Sequence, residues 1–196
     1  MQNLKHIRFI TENYGDMQGL RQIPLSICMA MVGVLSIASS MDLISGWGVV
    51  IGMLILIGLG YASYDWVGKR YNALYGSVQS RQSGIADPVW ITAAIVVFLI
   101  EMFADLPFSP SMLIIATFFV YRWYISDGLL PHYLPLAIVL LLMVALPQVV
   151  ESSERVSWFL IVLGIVHSIA GVFDHRALTR VLQRPAPDSI HEEEYA

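Results

Sequence analysis

Long apolar runs separated by short polar segments fill most of the chain. A helix needs roughly 18–20 apolar residues to cross a bilayer, and several of the runs reach that length. The pattern therefore predicts an all-α polytopic membrane protein with six transmembrane helices. The predicted spans are about 23–43, 47–66, 89–106, 111–125, 134–150 and 156–173.

The placement of positive charges supports six spans. The fourth predicted span is the shortest and contains Arg122, but backbone at membrane depth must satisfy its own hydrogen bonds, which favours a helix there. Of the 11 Lys and Arg residues, all but Arg155 fall on one side of a six-span chain. Such asymmetry follows the positive-inside rule and places both termini in the cytosol. Short outer connections favour three antiparallel helical hairpins.

These boundaries divide the chain into three regions. Residues 1–22 are predicted to form a cytosolic N-terminal segment, and residues 23–173 the transmembrane bundle. Residues 174–196 combine a basic helix end with an acidic tail that is expected to be disordered.

The composition agrees with a membrane location. Hydrophobic residues make up 57% of the chain and charged residues 13%, whereas soluble domains carry about 25% charged residues. No basic patch suggests nucleic-acid binding. The one cysteine, Cys28, excludes a disulfide within the chain and is interpreted as a small packing residue. The sequence shows no metal-ligand spacing and no hydrolase, phosphate-loop or dinucleotide motif, so neither an enzyme nor a cofactor is predicted.

Four polar residues inside predicted spans form a candidate intramembrane site, because charges at bilayer depth are rare and usually functional. They are Glu101, Asp105, Arg122 and His167. Glu101 and Asp105 are four residues apart, which places them on one helix face. Counting about 1.5 Å per residue puts Glu101 and Arg122 within roughly 6 Å in depth, so an ion pair between them is one hypothesis. In the alternative, Asp105 is hydrated at the outer interface and Arg122 extends to the cytosolic interface.

His167 lies near the middle of the sixth predicted span. A neutral histidine at that depth can relay protons. The simpler interpretation is a hydrogen bond from the imidazole to a hydroxyl group on another span.

Small residues cluster in the second and sixth predicted spans. They are Gly58, Gly60, Ala62, Ser63, Gly164, Ser168 and Gly171. Because small side chains let helix backbones approach closely, these positions predict tight helix packing rather than chemistry.

Aromatic and basic residues alternate on the predicted cytosolic face. The candidate docking residues there are Tyr64, Lys69, Arg70, Tyr71, Tyr75, Asp174, His175, Arg176 and Arg180. One interpretation is a surface that binds a protein partner. The other is an anchor for anionic lipids, which basic residues beside a membrane attract in any case.

Two stretches of this face carry a resemblance. The segment YDWVGKRYNALYGSV follows the second span, and the motif DHRALTRVL, with Asp174, His175 and Leu178, follows the sixth. Together they resemble a family of small uncharacterised bacterial multi-pass membrane proteins, which are associated with genes for transcriptional regulators and multidrug-type transporters. The resemblance implies a bacterial cytoplasmic (inner) membrane and implies no catalytic residues.

Two functions from different classes follow as hypotheses. The first is a non-catalytic component or accessory subunit of a membrane transport or export assembly, in contact with the lipid bilayer and with a protein partner or further copies of itself. The alternative is a self-contained small carrier or channel, proton-coupled through Glu101, because burial raises the pKa of a carboxyl group.

Overall fold

The computed structural model describes residues 14, 17–75, 86–101, 103–104, 106–151 and 154–182. In these ranges the chain forms six α-helices, which confirms the all-α class. They are α1 (Gly19–Ser40), α2 (Gly46–Tyr75), α3 (Ala86–Glu101), α4 (Pro110–Ile125), α5 (Tyr133–Met143) and α6 (Arg155–Leu182), with a 3-10 turn at Leu146–Gln148. Most of the predicted N-terminal segment and the predicted acidic tail lie outside the described residues.

Two helices run past their predicted ends. α2 continues from residue 66 to residue 75, and α6 from residue 173 to residue 182. Hydropathy reports where a helix leaves lipid, whereas the helix itself continues as long as its residues tolerate helical geometry. α3 is shorter than predicted and ends at Glu101 rather than at 106. Pro107 disfavours helical backbone at the residue before it, so a helix through 106 is unfavourable.

Three helices are long and apolar enough to span a membrane. They are α1, α2 and α6. The helices α3 and α4 have 16 residues each, which corresponds to about 24 Å, less than a hydrocarbon core of about 30 Å. The structure therefore contains three candidate membrane spans in the described residues, and the six-span topology stays a prediction.

Helices α1 and α6 are the most closely packed pair. A small, buried residue occurs at every seventh position of each helix: Gly19, Ser26 and Gly33 in α1, and Ser157, Gly164 and Gly171 in α6. A Cβ atom on Gly19 would lie 1.9 Å from the carbonyl oxygen of Gly171. A Cβ atom on Gly33 would lie 2.5 Å from the carbonyl oxygen of Ser157. The helices are therefore antiparallel, and their backbones touch directly.

The other side of α1 packs against α2. Positions 35 and 52 meet near one end, and positions 21 and 68 near the other, so this pair is also antiparallel. These contacts involve side chains such as those of Leu35 and Arg21 and are looser than the contacts between α1 and α6. The first predicted hairpin is present.

The remaining helices pack in chain order. α3 contacts α4, and α4 contacts α5. α5 has few contacts with α6, so the expected third hairpin is wrong: α5 packs mainly on α4, and α6 packs on α1. The spacing of small residues explains why α6 packs on α1, because these residues recur every seven positions in both helices. We refer to α1, α2 and α6 as the long group, and to α3, α4 and α5 as the short group.

Candidate functional site

Large side chains join the long and short groups. The rings of Phe98 in α3 and Phe159 in α6 stack with their centroids 4.3 Å apart. Phe119 in α4 meets His167 in α6 edge to face at 5.5 Å. Such contacts hold two groups together while leaving space between their backbones.

A buried carboxylate connects α6 to the start of α5. Asp174 is 2% exposed. Its Oδ1 accepts a hydrogen bond from Nε2 of His132 at 3.0 Å, and its Oδ2 accepts one from the Tyr133 hydroxyl at 2.8 Å. The same His132 ring stacks on Phe173 with centroids 5.2 Å apart. Asp174 is therefore a point of attachment between the two groups.

Arg122 belongs to the same polar cluster. It lies in the last turn of α4 and is 3% exposed. The Tyr133 hydroxyl interacts with both Asp174 and Arg122. Arg122 and Asp174 carry opposite charges beside the same hydroxyl, so they partly compensate each other's loss of hydration. We call Arg122, His132, Tyr133 and Asp174 the polar cluster.

Glu101 does not pair with Arg122. Its carboxylate accepts hydrogen bonds from the Ser111 hydroxyl at 2.6 Å and from the Ser111 backbone N–H at 3.2 Å. Ser111 lies in the first turn of α4, eleven residues and about 16 Å before Arg122. The depth estimate was wrong because α3 ends at Glu101, which places this carboxylate at the end of the helix. Asp105 lies outside the described residues.

His167 forms a local hydrogen bond rather than one across helices. Its Nδ1–H donates to the carbonyl oxygen of Leu163, one turn earlier in α6, at 3.0 Å. In the neutral ring this leaves Nε2 as the acceptor. The interpretation that His167 binds a hydroxyl on another span is wrong, and whether it relays protons stays a hypothesis.

Two of the predicted docking residues are buried. Asp174 belongs to the polar cluster, and Tyr71 is 4% exposed. The Tyr71 hydroxyl shares a hydrogen bond with Nδ1 of His175, and the two rings meet edge to face. Tyr71 and Asp174 are therefore not available to a docking partner. The two stretches that carry the family resemblance meet at this contact.

Other docking candidates remain on the surface. Lys69 and Arg70 are exposed, as are Arg176 and Arg180. Lys69 pairs with Asp65 at 2.6 Å, and the Arg70 guanidinium lies 4.9 Å from the ring centre of Trp66.

The remaining docking candidates are aromatic. Tyr64 is half-buried beneath the guanidinium of Arg21, which lies 4.1 Å from its ring centre. The side chain of Tyr75 lies outside the described part of the structure.

A cavity of about 490 Å³ lies between the long group and the short group, next to the polar cluster. Residues from all six helices line it, among them Gln22, Tyr64, Ala94, Ile115, Arg122 and His167. Because its walls come from distant parts of the chain, the sequence pattern does not reveal the cavity. The presence of Arg122 and His167 in its wall brings together two of the predicted polar residues.

A second cavity, of about 320 Å³, lies at the other end of the bundle. Glu101 and Arg155 both line it. Arg155 donates hydrogen bonds to the carbonyl oxygens of Pro147 at 3.0 Å and Val150 at 3.4 Å. The predicted intramembrane site is thus divided, with Glu101 at one end of the bundle and Arg122 and His167 at the other cavity.

No protein-family model, curated protein or solved structure matches this chain. Within the described ranges, no group of three or more His, Cys, Asp and Glu side chains is arranged to hold a metal ion. The functional assignment therefore rests on the geometry of the cavity and the polar cluster.

Proposed function

We propose that the protein is a small membrane carrier or binding protein that holds a largely apolar molecule between the long and short groups. The observation that carries the proposal is the cavity of about 490 Å³ whose wall draws on all six helices. Binding sites for small molecules are typically cavities of about 300–1,000 Å³ with mostly apolar walls and a few polar groups. The resemblance to bacterial multi-pass proteins adds the expectation of a cytoplasmic membrane.

The contacts between the groups suit a site that must admit and release a ligand. Within the long group, α1 and α6 touch through their backbones, so they form a rigid unit. Between the groups, rings and the polar cluster provide the contacts. Side-chain contacts of this kind permit small relative movements of packed helices. We infer that the short group moves against the long group when the ligand enters.

Proton coupling through Glu101 has weaker support. Its carboxylate binds the first turn of α4, where the helix dipole favours a negative charge. Arg122 does not line the cavity that contains Glu101, although the two cavities share Phe98 and Phe159. We therefore propose a structural role for Glu101.

An accessory subunit is the second candidate function. It is favoured by exposed positive side chains at one end of the bundle, on Lys69, Arg70, Arg176 and Arg180. These side chains suit an acidic protein surface or anionic lipid headgroups. The burial of Tyr71 and Asp174 removes two of the residues that this hypothesis requires on the surface.

The experiment is purification in mild detergent, followed by mass measurement of the intact protein and of any small molecule that it carries. We expect the wild-type protein to retain a small molecule, and Ala94→Trp to lose it because the indole fills the cavity. Leu54→Trp is the matched control, since Leu54 is 67% exposed on the outer face of α2. Equal retention by Ala94→Trp would contradict the cavity as the site.

The same measurement separates the two functions. A second protein in fixed proportion that is released by the double charge reversal Lys69→Glu and Arg70→Glu would favour the accessory-subunit function. A wild-type protein that carries neither a small molecule nor a second protein would contradict both proposed functions.

A further inference from the structure

We infer that the ligand is a single-chain amphiphile with an anionic head, and that its head binds at Arg122. The inference rests on the proposed function, because it assigns a chemical class to the molecule held in the same cavity.

The cavity has one polar end. Gln22 near the start of α1, Tyr64 late in α2 and Arg122 in the last turn of α4 all line it. Helices α1 and α2 are antiparallel, which brings the start of α1 and the later part of α2 to the same end of the long group. The Tyr133 hydroxyl of the polar cluster also lies there. The polar head of a ligand would meet hydrogen-bonding groups of the protein at this end of the cavity.

Apart from Ser26 and His167, the rest of the wall is apolar. Along α4, the lining runs from Arg122 back to Ile114, eight residues or about 12 Å. The adjoining wall along α3 contains Ile91, Ala94 and Ile95. A hydrocarbon chain that lies along α4 would therefore bury its surface against aliphatic and aromatic side chains, which is favourable.

The charge of the cavity wall determines which ligand head group binds favourably. No acidic side chain lines this cavity in the part of the chain that the structure describes, and Arg122 is the one charged lining residue there. Asp174 interacts with the same Tyr133 hydroxyl but is not part of the cavity wall. A guanidinium has five N–H donors, so Arg122 can keep its contact with the polar cluster and still donate to an anion in the cavity.

The size of the cavity favours a ligand with a single chain. At about 490 Å³ it lies in the lower half of the range for small-molecule sites, about 300–1,000 Å³. That space suits one hydrocarbon chain and a compact head. A bilayer lipid with two acyl chains would leave much of its surface outside this volume.

The test uses three probes of equal chain length on the full-length protein in nanodiscs of neutral lipid: dodecanoate, dodecanol and dodecylammonium. Each competes with a photoreactive fatty acid, and mass spectrometry locates the cross-link. We expect dodecanoate to compete at least about tenfold better than the other two, because a charge-assisted hydrogen bond to a buried guanidinium favours the carboxylate. Cross-links are expected on peptides of α3 and α4, and Ala94→Trp is expected to remove them.

Two variants locate the head. Arg122→Gln is expected to weaken dodecanoate about tenfold or more and to leave dodecanol unchanged. If Arg122→Gln fails to fold, Gln22→Leu provides the second variant, with a smaller loss for dodecanoate and none for dodecanol.

The results that would contradict the ligand class differ from the result that would contradict the proposed function. Equal competition by all three probes at a site that Ala94→Trp blocks would overturn the anionic head and leave the proposed function standing. Competition by an anionic two-chain lipid as strong as that by dodecanoate would overturn the single-chain assignment. The absence of any saturable cross-link in the cavity would overturn the proposed function itself.

Discussion

The long group and the short group are held together by different means. In the long group, small residues let the backbones of α1 and α6 touch along much of their length. In the short group and at its contact with the long group, aromatic rings and the polar cluster fill the space between helices. Backbone contact leaves no room for a ligand, whereas side-chain contact does. The cavity accordingly lies between the groups and not within the long group.

The first prediction breaks the attachment between the groups at Asp174. Asp174→Ala removes the acceptor of two hydrogen bonds and leaves the buried Arg122 without its neighbouring negative charge. Each buried donor that loses its acceptor costs about 1–3 kcal/mol, and the donors on His132 and Tyr133 both lose theirs here. We expect a reduced free energy of unfolding of that size, measured by denaturation of the purified protein in mild detergent.

Asp174→Asn is the control for this prediction. The amide oxygen of asparagine still accepts the hydrogen bond from the Tyr133 hydroxyl, but the charge is lost. We expect an intermediate loss of stability. If Asp174→Ala unfolds with the same free energy as the wild-type protein, the polar cluster does not hold the groups together.

The second prediction tests the backbone contact inside the long group. A Cβ atom on Gly164 would lie 2.4 Å from the carbonyl oxygen of Ser26, so Gly164→Leu must push α1 and α6 apart. Overpacking of this kind typically costs about 1–3 kcal/mol. Gly58→Leu is the matched control, because a Cβ atom on Gly58 meets no atom within 4 Å.

Thermal denaturation in detergent is the measurement for this pair. We expect a lower midpoint for Gly164→Leu and a midpoint close to the wild-type value for Gly58→Leu. Equal midpoints for the two variants would mean that α1 and α6 are not in backbone contact in the membrane protein.

The sequence predicts where the helices lie far better than it predicts which helices pack against each other. Hydropathy located all six helices, because apolar runs report the length of a buried segment directly. The sequence also identified Gly164 and Gly171 as positions of close approach. It did not identify their partners, although Gly19, Ser26 and Gly33 repeat with the same seven-residue spacing. Matching spacings in two helices are the signal that would have paired α1 with α6.

The polar cluster was less accessible to sequence reasoning. Depth along a helix suggested Glu101 as the partner of Arg122, because it assumed that α3 extends to residue 106, whereas α3 ends at Glu101. Arg122 instead lies beside Tyr133 and Asp174, and Asp174 is 52 residues later in the chain. No local pattern encodes a contact over that distance, since helix packing decides it. The same reason hides the cavity, whose walls come from six helices.

The third prediction concerns Glu101, where the smallest effect is expected. Glu101→Gln keeps an acceptor for the Ser111 hydroxyl but removes the negative charge beside the first turn of α4. Interactions of a charged side chain with a helix terminus are worth about 0.3–1 kcal/mol at the surface and up to about 2 kcal/mol when partly buried. We expect a loss of about 1 kcal/mol in the free energy of unfolding and no change in ligand binding.

A double-mutant cycle with Ser111→Ala separates a capping role from proton coupling. If Glu101 only stabilises the start of α4, the losses from Glu101→Gln and Ser111→Ala will not add, because both variants weaken the same contact between the Glu101 carboxylate and the Ser111 hydroxyl. Flux of the ligand into liposomes then stays near the wild-type rate in both. A folded Glu101→Gln protein without flux would instead favour proton coupling. In that case the cavity that contains Glu101 and Arg155 would take part in transport, and movement between the groups would have to reach both ends of the bundle.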